Sequence, residues 1–422
     1  MKIKKLSING VDVSIIDTDK FKSICGALFF KMPVSSEMVI TRNLIKNILI
    51  HSCNKYPTNR LLNINCLENY DAYYSASYRR DGNYATNFFL FNVLDDRYTK
   101  DGNIYEVLNT FKEIIFNPNI KDDKFDDEEY DLAYQKYKTA LEAVKERAKS
   151  YAANKLFEQM SDNTPLGYIP NLDMLSKITN EKLYKEYLNM INNSEISFVI
   201  AGHDVSKINL EDLLSDCTSK VYNQNAKSNQ VINDKELNNN ENYNGLQSVL
   251  EVGLKIEGLT DFESTYVMPV FNNILGSGAS SRLFNEVREK NSLCYSCFSR
   301  YYKDDNIIEI SAGIDNKDYE KALSLIKETV LSMENINDDE VKRAITDITS
   351  ALKESLDEIS NYVIPVYINK LYNEDDVIKK QEIIKKLTKE DLEKVFKKVN
   401  ITDSFFLKGG KTSEWDYYKE NK

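Results

Sequence analysis

The chain has 422 residues, a formal net charge of −11 and a pI near 5.1. It is too long for one ordinary core and too acidic for a protein whose main partner is nucleic acid or an anionic membrane. No apolar run reaches the roughly 20 residues of a membrane helix. The cysteines at 25, 53, 66, 217, 294 and 297 are scattered as reduced thiols are in a reducing compartment. These features predict a cytoplasmic globular protein of two or more domains, with neither membrane nor nucleic acid among its partners.

The opening MKIKKLSINGVDVSII has basic residues but no continuous apolar stretch and no small-residue cleavage site, so it reads as a strand and not as a signal peptide. Residues 24–31 read as a strand. Residues 36–52 read as a helix whose apolar stripe is Leu44, Ile45, Ile48 and Leu49. A shorter helix leads to strands at 72–79 and 84–94 and a helix near 103–117. An acidic helix start follows at Phe125-Asp126-Asp127-Glu128, where carboxylates complement the helix dipole. After further helix, this half closes on a strand at 196–201.

Residues 223–244, NQNAKSNQVINDKELNNNENYN, are polar and Asn-rich and read as a linker. Beyond them the same order returns: a strand at 248–256, a helix at 260–275, a shorter helix, and strands at 293–302 and 307–314. Ile308, Ile310, Ala312 and Ile314 alternate along the last of these. A helix at 317–334, an acidic start at Asn337-Asp338-Asp339-Glu340 and a closing strand at 404–408 complete it. One unit written twice predicts an α+β protein of two tandem domains, 1–222 and 245–422. Each would have a mostly antiparallel sheet with helices packed on one face.

The chemistry-bearing residues cluster at 276–302. Gly276-Ser277-Gly278 reads as a tight turn and Ser280 or Ser281 as a helix cap. Leu283, Phe284 and Val287 form the buried side of a short helix, Arg288 stands at its end, and Tyr295 lies on the next strand. Taken alone, Arg288 is a surface residue paired with Glu286 or Glu289. The G-x-G lacks a following G-K-[ST] and is no phosphate loop. Cys294 and Cys297 form a C-x-x-C within a strand, where residues three apart point to opposite faces, which argues against a zinc knuckle or redox pair. His51 and Cys53 project roughly 200° apart around a helix end and read as ordinary end residues; His203 reads as a loop residue.

The string G-x-G-x-S-S-R-L-F, then V-R-E-K, then Y-S, set in a duplicated α+β chain, resembles the C-terminal-domain signature of the insulinase/pitrilysin family of zinc peptidases. The resemblance covers nearly the whole chain. It implies that Arg288 holds a substrate carbonyl and that Tyr295 donates a hydrogen bond to the developing oxyanion. Family peptidases carry H-x-x-E-H on the first long helix, two histidines one turn apart with a glutamate as base. By that pattern Asn43, Lys46 and Asn47 stand in those places, and Ala140 stands for the third ligand. No zinc is therefore expected in this chain.

The segments Asn54-Lys55-Tyr56-Pro57-Thr58, Ala148-Lys149-Ser150-Tyr151-Ala152 and Leu183-Tyr184-Lys185-Glu186-Tyr187 are similar to a group of non-catalytic bacterial members. The resemblance implies a peptide-binding subunit of a heterodimeric peptidase. Its partner would carry H-x-x-E-H and the zinc, and a peptide or small protein would add along a sheet edge. The competing reading is a scaffold with the peptidase fold and no part in catalysis. A cysteine hydrolase built on Cys53 or Cys66 finds no support in the spacing.

Overall fold

The computed structural model describes residues 2–161, 164–223, 226–227, 237–245 and 247–409. A hairpin of β1 (Lys4–Ile8) and β2 (Val11–Asp17) leads to β3 (Ser23–Pro33), then α1 (Met38–Leu49) and α2 (Asn59–Glu68). Strands β4 (Tyr73–Asp81) and β5 (Tyr84–Leu94) precede α3 (Ile104–Phe116) and the small hairpin β6 (Ile120–Lys121) and β7 (Lys124–Phe125). Then come α4 (Asp127–Glu142), α5 (Ala148–Met160), α6 (Leu172–Ser176), α7 (Asn180–Asn193) and β8 (Glu195–Gly202).

The second run opens on β9 (Leu237–Tyr243) and β10 (Ser248–Ile256). A helical stretch passes from Glu263 through α8 (Met268–Asn272) to Ser277, and a short wide-turned helix covers Phe284–Lys290. Strands β11 (Cys294–Tyr302) and β12 (Ile307–Ile314) are followed by α9 (Tyr319–Ser332), α10 (Asp338–Ser355), α11 (Ile364–Leu371), α12 (Val377–Ile384), α13 (Lys389–Phe396) and β13 (Val399–Gly409).

Local chemistry explains most of these elements. In α3 the buried residues Ile104, Val107, Leu108, Phe111, Ile114 and Ile115 recur at helical spacing. Both α4 and α10 begin on three consecutive acids, Asp127-Glu128-Glu129 and Asp338-Asp339-Glu340, at the end of the helix dipole that favours negative charge.

The strands build two sheets, ordered β1-β2-β8-β3-β5-β4 and β11-β12-β10-β13-β9. Read from β2, the first sheet runs parallel, antiparallel, antiparallel, antiparallel. Read from β9, the second does the same. The repeat inferred from element order thus extends to topology and strand direction.

It also corrects the Asn-rich linker at its end. Residues 228–236 lie outside the described residues, but Leu237–Tyr243 is a strand. It pairs in parallel with β13, in the position β2 holds in the first sheet. Its sequence, LNNNENY, is almost wholly exposed, as an edge strand can be.

By contacts the chain forms two compact units that do not follow a single cut at that segment. One comprises 1–141, 170–226 and 355–376; the other comprises 142–169, 227–354 and 377–422. Each unit takes a helical segment from the opposite repeat, and the two segments occupy equivalent places in the repeat. The helices are consequently not confined to one face of either sheet.

In the first unit, Cys25, Ala27 and Phe29 of β3 and Val199 and Ala201 of β8 pack with Ile359, Val363, Val366 and Tyr367. The Phe29 and Tyr367 rings stack at 4.0 Å between centroids and 5° between planes. In the second unit, Ala152, Leu156 and Met160 of α5 pack on Val249, Ile307, Phe405 and Leu407. This is why β3 is buried along nearly its whole length instead of at alternate residues.

The α5 face of the second sheet also holds a buried carboxyl, Glu251. Its Oε1 accepts a 2.7 Å bond from the Ser311 hydroxyl and its Oε2 has no partner. Burial, and then the charge of Glu309, push it well above the usual carboxylate range.

Two outcomes follow from this packing. Replacing Tyr367 by Ala removes the stacked ring and should cost about 3–5 kcal/mol in urea unfolding. Tyr367→Phe loses only the contact with the Thr86 hydroxyl, 3.1 Å away, and should cost about 1 kcal/mol. Because folded Glu251 keeps its proton to higher pH than the unfolded side chain, folding takes up a proton. The contribution of Glu251 to stability is then fully present below the unfolded carboxylate value of about 4.3 and is lost as pH rises through the folded one. Glu251→Gln should flatten that decline and raise stability at neutral pH, as read from unfolding midpoints across a pH series.

Candidate functional site

Arg288 and Tyr295 are brought together by the way the short helix ends. Ser292 takes a left-handed conformation, φ 54°. Its N–H donates to the Arg288 carbonyl at 2.9 Å, and the next N–H, of Leu293, donates back to Val287 at 3.1 Å. Such a closure caps the last carbonyls and turns the chain sharply, with Leu293 buried beneath the turn. Arg288 therefore sits on the final helical turn and Tyr295 near the start of β11.

The residues ahead of the helix hold it in place differently from the expectation. Gly276 and Gly278 do not adopt positive φ. A Cβ on Gly276 would lie 2.7 Å from the Ser299 backbone nitrogen of β11 and 2.7 Å from Leu283, so glycine is required there by close approach and not by a special turn. Ser281 stands just before the helix, but its buried Oγ bonds to no other described residue and caps no helix N–H. The anchor is Arg282, which sequence reading passed over. It donates to both Glu340 carboxylate oxygens, at 2.8 and 2.6 Å, and to the Asn335 carbonyl at 2.9 Å.

β11 is an edge strand, paired only with β12 among the described residues. Its register slips by one residue between Cys294, opposite Ile314, and Cys297, opposite Ala312. That bulge contains Tyr295 and re-aims it. Tyr295 is 87% exposed, and its hydroxyl bonds to no other described residue. Arg288 is half-exposed; its guanidinium lies 4.8 Å from the Phe284 ring centroid and only loosely by Glu289, at 3.5 Å. Glu286, the other acid considered for it, pairs instead with Lys290 at 2.6 Å.

Both side chains line one open cavity of about 480 Å³, shared with Gln247, Cys294, Asp315 and Asp318. Behind the bulge, Lys149 of α5 donates to the Ser296 hydroxyl at 2.5 Å. Nothing in the sequence signals that a residue from the first repeat supports this strand. The bulge also overturns the inference drawn from strand alternation for the C-x-x-C. Ile314 and Ala312 share a face of β12, so Cys294 and Cys297 share a face of β11, and both pack in the apolar cluster on its helix side.

The positions that the resemblance sets in place of the zinc motif carry other chemistry. Asn43, Lys46 and Asn47 lie half-buried on α1, and Asn43 donates 2.8 Å back to the Val39 carbonyl. Burial, followed by the nearby charge of Lys136 on α4, holds the Lys46 ammonium below its usual range. Ala140 lies exposed on α4. Amides, ammonium groups and a methyl do not make a zinc donor set. Among the described residues no three His, Cys, Asp or Glu side chains gather as metal ligands.

His51 is tied to the start of α4, its Nδ1 2.6 Å from Glu129 Oε2, with Ser52 donating to the other Glu129 oxygen at 2.8 Å. His203 lies 3.3 Å from Asp204 and also against Asp19. Cys53 is fully buried, and burial raises both its thiol and that of Cys66, which suits neither for nucleophilic work. No helix among the described residues is long and apolar enough to cross a membrane.

Comparison with known proteins agrees with this picture. The family described as the Peptidase M16 inactive domain matches residues 177–348. The chain is 25% identical over 95% of its length, and 96% of the relative, to the probable inactive metalloprotease YmfF of Bacillus subtilis. Its fold superposes with a TM-score of 0.88 on a conserved protein from Enterococcus faecalis, at 22% identity, covering 98% of this chain and 100% of that one. The M16 inactive-domain structure from Pseudomonas fluorescens gives a TM-score of 0.79 at 16% identity, covering 98% and 99%. Two tandem sheets of matching topology, the 276–296 string and a first long helix without zinc-binding side chains agree with these likenesses: over nearly its whole length the chain is similar to inactive members of the insulinase/pitrilysin (M16) peptidase family.

Proposed function

We propose that this chain is the non-catalytic, peptide-binding subunit of a heterodimeric zinc peptidase. In this reading Arg288 and Tyr295 hold a peptide for a partner chain that carries H-x-x-E-H and the metal. The observation that carries it is the pairing of two exposed polar side chains, at the end of a helix and on an edge-strand bulge, in a single open cavity. Among the described residues, a tyrosine hydroxyl with no partner and a guanidinium with only a loose one have no structural task in their own unit.

The edge position of β11 supports the mode of binding. Its outer backbone groups are free to pair with an extended peptide, which gives affinity from main-chain hydrogen bonds and little sequence preference. Tyr295 then donates toward the carbonyl oxygen of the peptide as charge develops on it, and Arg288 holds a neighbouring carbonyl. Glu289, Asp315 and Asp318 around the same cavity favour a peptide with basic or neutral side chains over an acidic one. The compartment consistent with its thiols is the cytoplasm.

The test uses the full chain mixed with its H-x-x-E-H partner, recovered by affinity purification from native cells. Metal analysis should find zinc in the complex and none in the free chain. Arg288→Ala and Tyr295→Phe should each lower the peptidase activity of the complex at least about tenfold, while urea midpoints of the free chain stay unchanged because both side chains are exposed. Tyr295→Phe should act mainly on kcat and Arg288→Ala also on KM. Full activity in the double variant would sink this reading and leave the scaffold.

A further inference from the structure

The bulge that presents Tyr295 also brings together two thiols that a regular strand would keep apart. Cys294 and Cys297 flank Tyr295 and Ser296, face the same side of β11, and sit in one apolar cluster. They differ in access. Cys294 is half-buried and lines the open cavity beside Arg288, whereas Cys297 is 5% exposed.

We propose that Cys294 and Cys297 form a reversible dithiol–disulfide site oxidised by hydroperoxides, with Cys294 as the attacking thiol and Cys297 as the resolving one.

The electrostatics agree with that division. The Cys294 thiol is held below its usual range by a hydrogen bond from Cys297, against the opposing effect of burial, and then by the cations of Arg288 and Lys149. Cys297 is pushed well above its usual range, first by its bond to Cys294 and then by burial. A thiol that is both reachable and electropositively placed, next to a second that is neither, is the arrangement in which a sulfenic acid is captured as soon as it forms. The other half-buried cysteine, Cys66, has its thiol raised by burial and by the charge of Asp71.

The chemistry balances within the pair and its oxidant. The Cys294 thiolate attacks one peroxide oxygen, the O–O bond breaks, and the departing hydroxide or alkoxide takes a proton to leave as water or alcohol. The Cys297 sulfur then attacks the Cys294 sulfenic sulfur and the S–O bond breaks. Hydroxide leaves with the Cys297 proton as a water molecule. Two thiols lose two electrons to one peroxide, and a small-molecule thiol reverses the process by exchange. Since Tyr295 lies between the two cysteines in sequence, the disulfide fixes the bulge that carries it.

The experiment needs neither the partner nor any role for Arg288 and Tyr295, and it uses the full chain with stoichiometric hydrogen peroxide. Peptide mapping after alkylation should show a Cys294–Cys297 disulfide, lost on adding dithiothreitol. Before oxidation, Cys294 should alkylate about tenfold faster than Cys66. In Cys297→Ser the reaction should stop at a Cys294 sulfenic acid that dimedone traps, and Cys294→Ser should leave Cys297 reduced. The wild-type mapping decides the matter should either variant fold poorly. Full alkylation of both cysteines after peroxide, or oxidation of Cys66 ahead of them, overturns the proposal.

Discussion

The structure depends on covering both faces of two sheets that are apolar on both sides. Strands such as β3, with nine consecutive buried residues, cannot leave a face to water. At roughly 25 cal/mol per Å² of apolar surface, the exposed alternative would cost many kcal/mol. The helices that follow each sheet in sequence satisfy one face. The other is satisfied by α11 on the first sheet, through the Phe29–Tyr367 stack, and by α5 on the second, through Leu156 and Met160. The same α5 delivers Lys149 to Ser296, so a demand of core packing reaches the strand that bears Tyr295.

The α1 face and the surroundings of β11 differ sharply in their electrostatics. On α1, the amides of Asn43 and Asn47 stand beside the ammonium of Lys46, which the charge of Lys136 opposes. A divalent cation would add to that repulsion. Around β11 the close approach at Gly276, the Arg282–Glu340 pair, the left-handed Ser292 and the edge bulge all bear on where Arg288 and Tyr295 stand.

Much of the fold was legible in the sequence because it is written in local periodicity. The apolar spacing of α3, the alternation in β12 and the acidic starts of α4 and α10 each name their element without reference to anything distant. What failed to show has a common cause, which is that it is set by partners far away in the chain. LNNNENY has no apolar alternation and becomes a strand only because β13 offers it an edge. The apolar face of α5 announces burial but not against which sheet. One extra residue in β11 leaves no compositional trace, yet it reverses which face Cys294 shares, and the glycine at 276 looks like a turn former when its real constraint is a backbone 2.7 Å away. The helix end at Arg288 and the strand at Tyr295 were readable from local pattern; the bulge and Lys149 behind them were not.

The placement of α11 has a consequence for how the protein comes into being. Synthesis runs from the amino terminus, and the first sheet has all its strands once β8 has emerged at Gly202. Its second apolar face nevertheless waits for residues 359–371, which leave the ribosome more than 150 residues later, or on the order of ten seconds or more at typical elongation rates. The nascent chain must carry a formed but half-clad sheet through that interval. The amino-terminal half is thus a template that its own distant sequence completes, and a chain interrupted between the repeats would leave that surface bare for good.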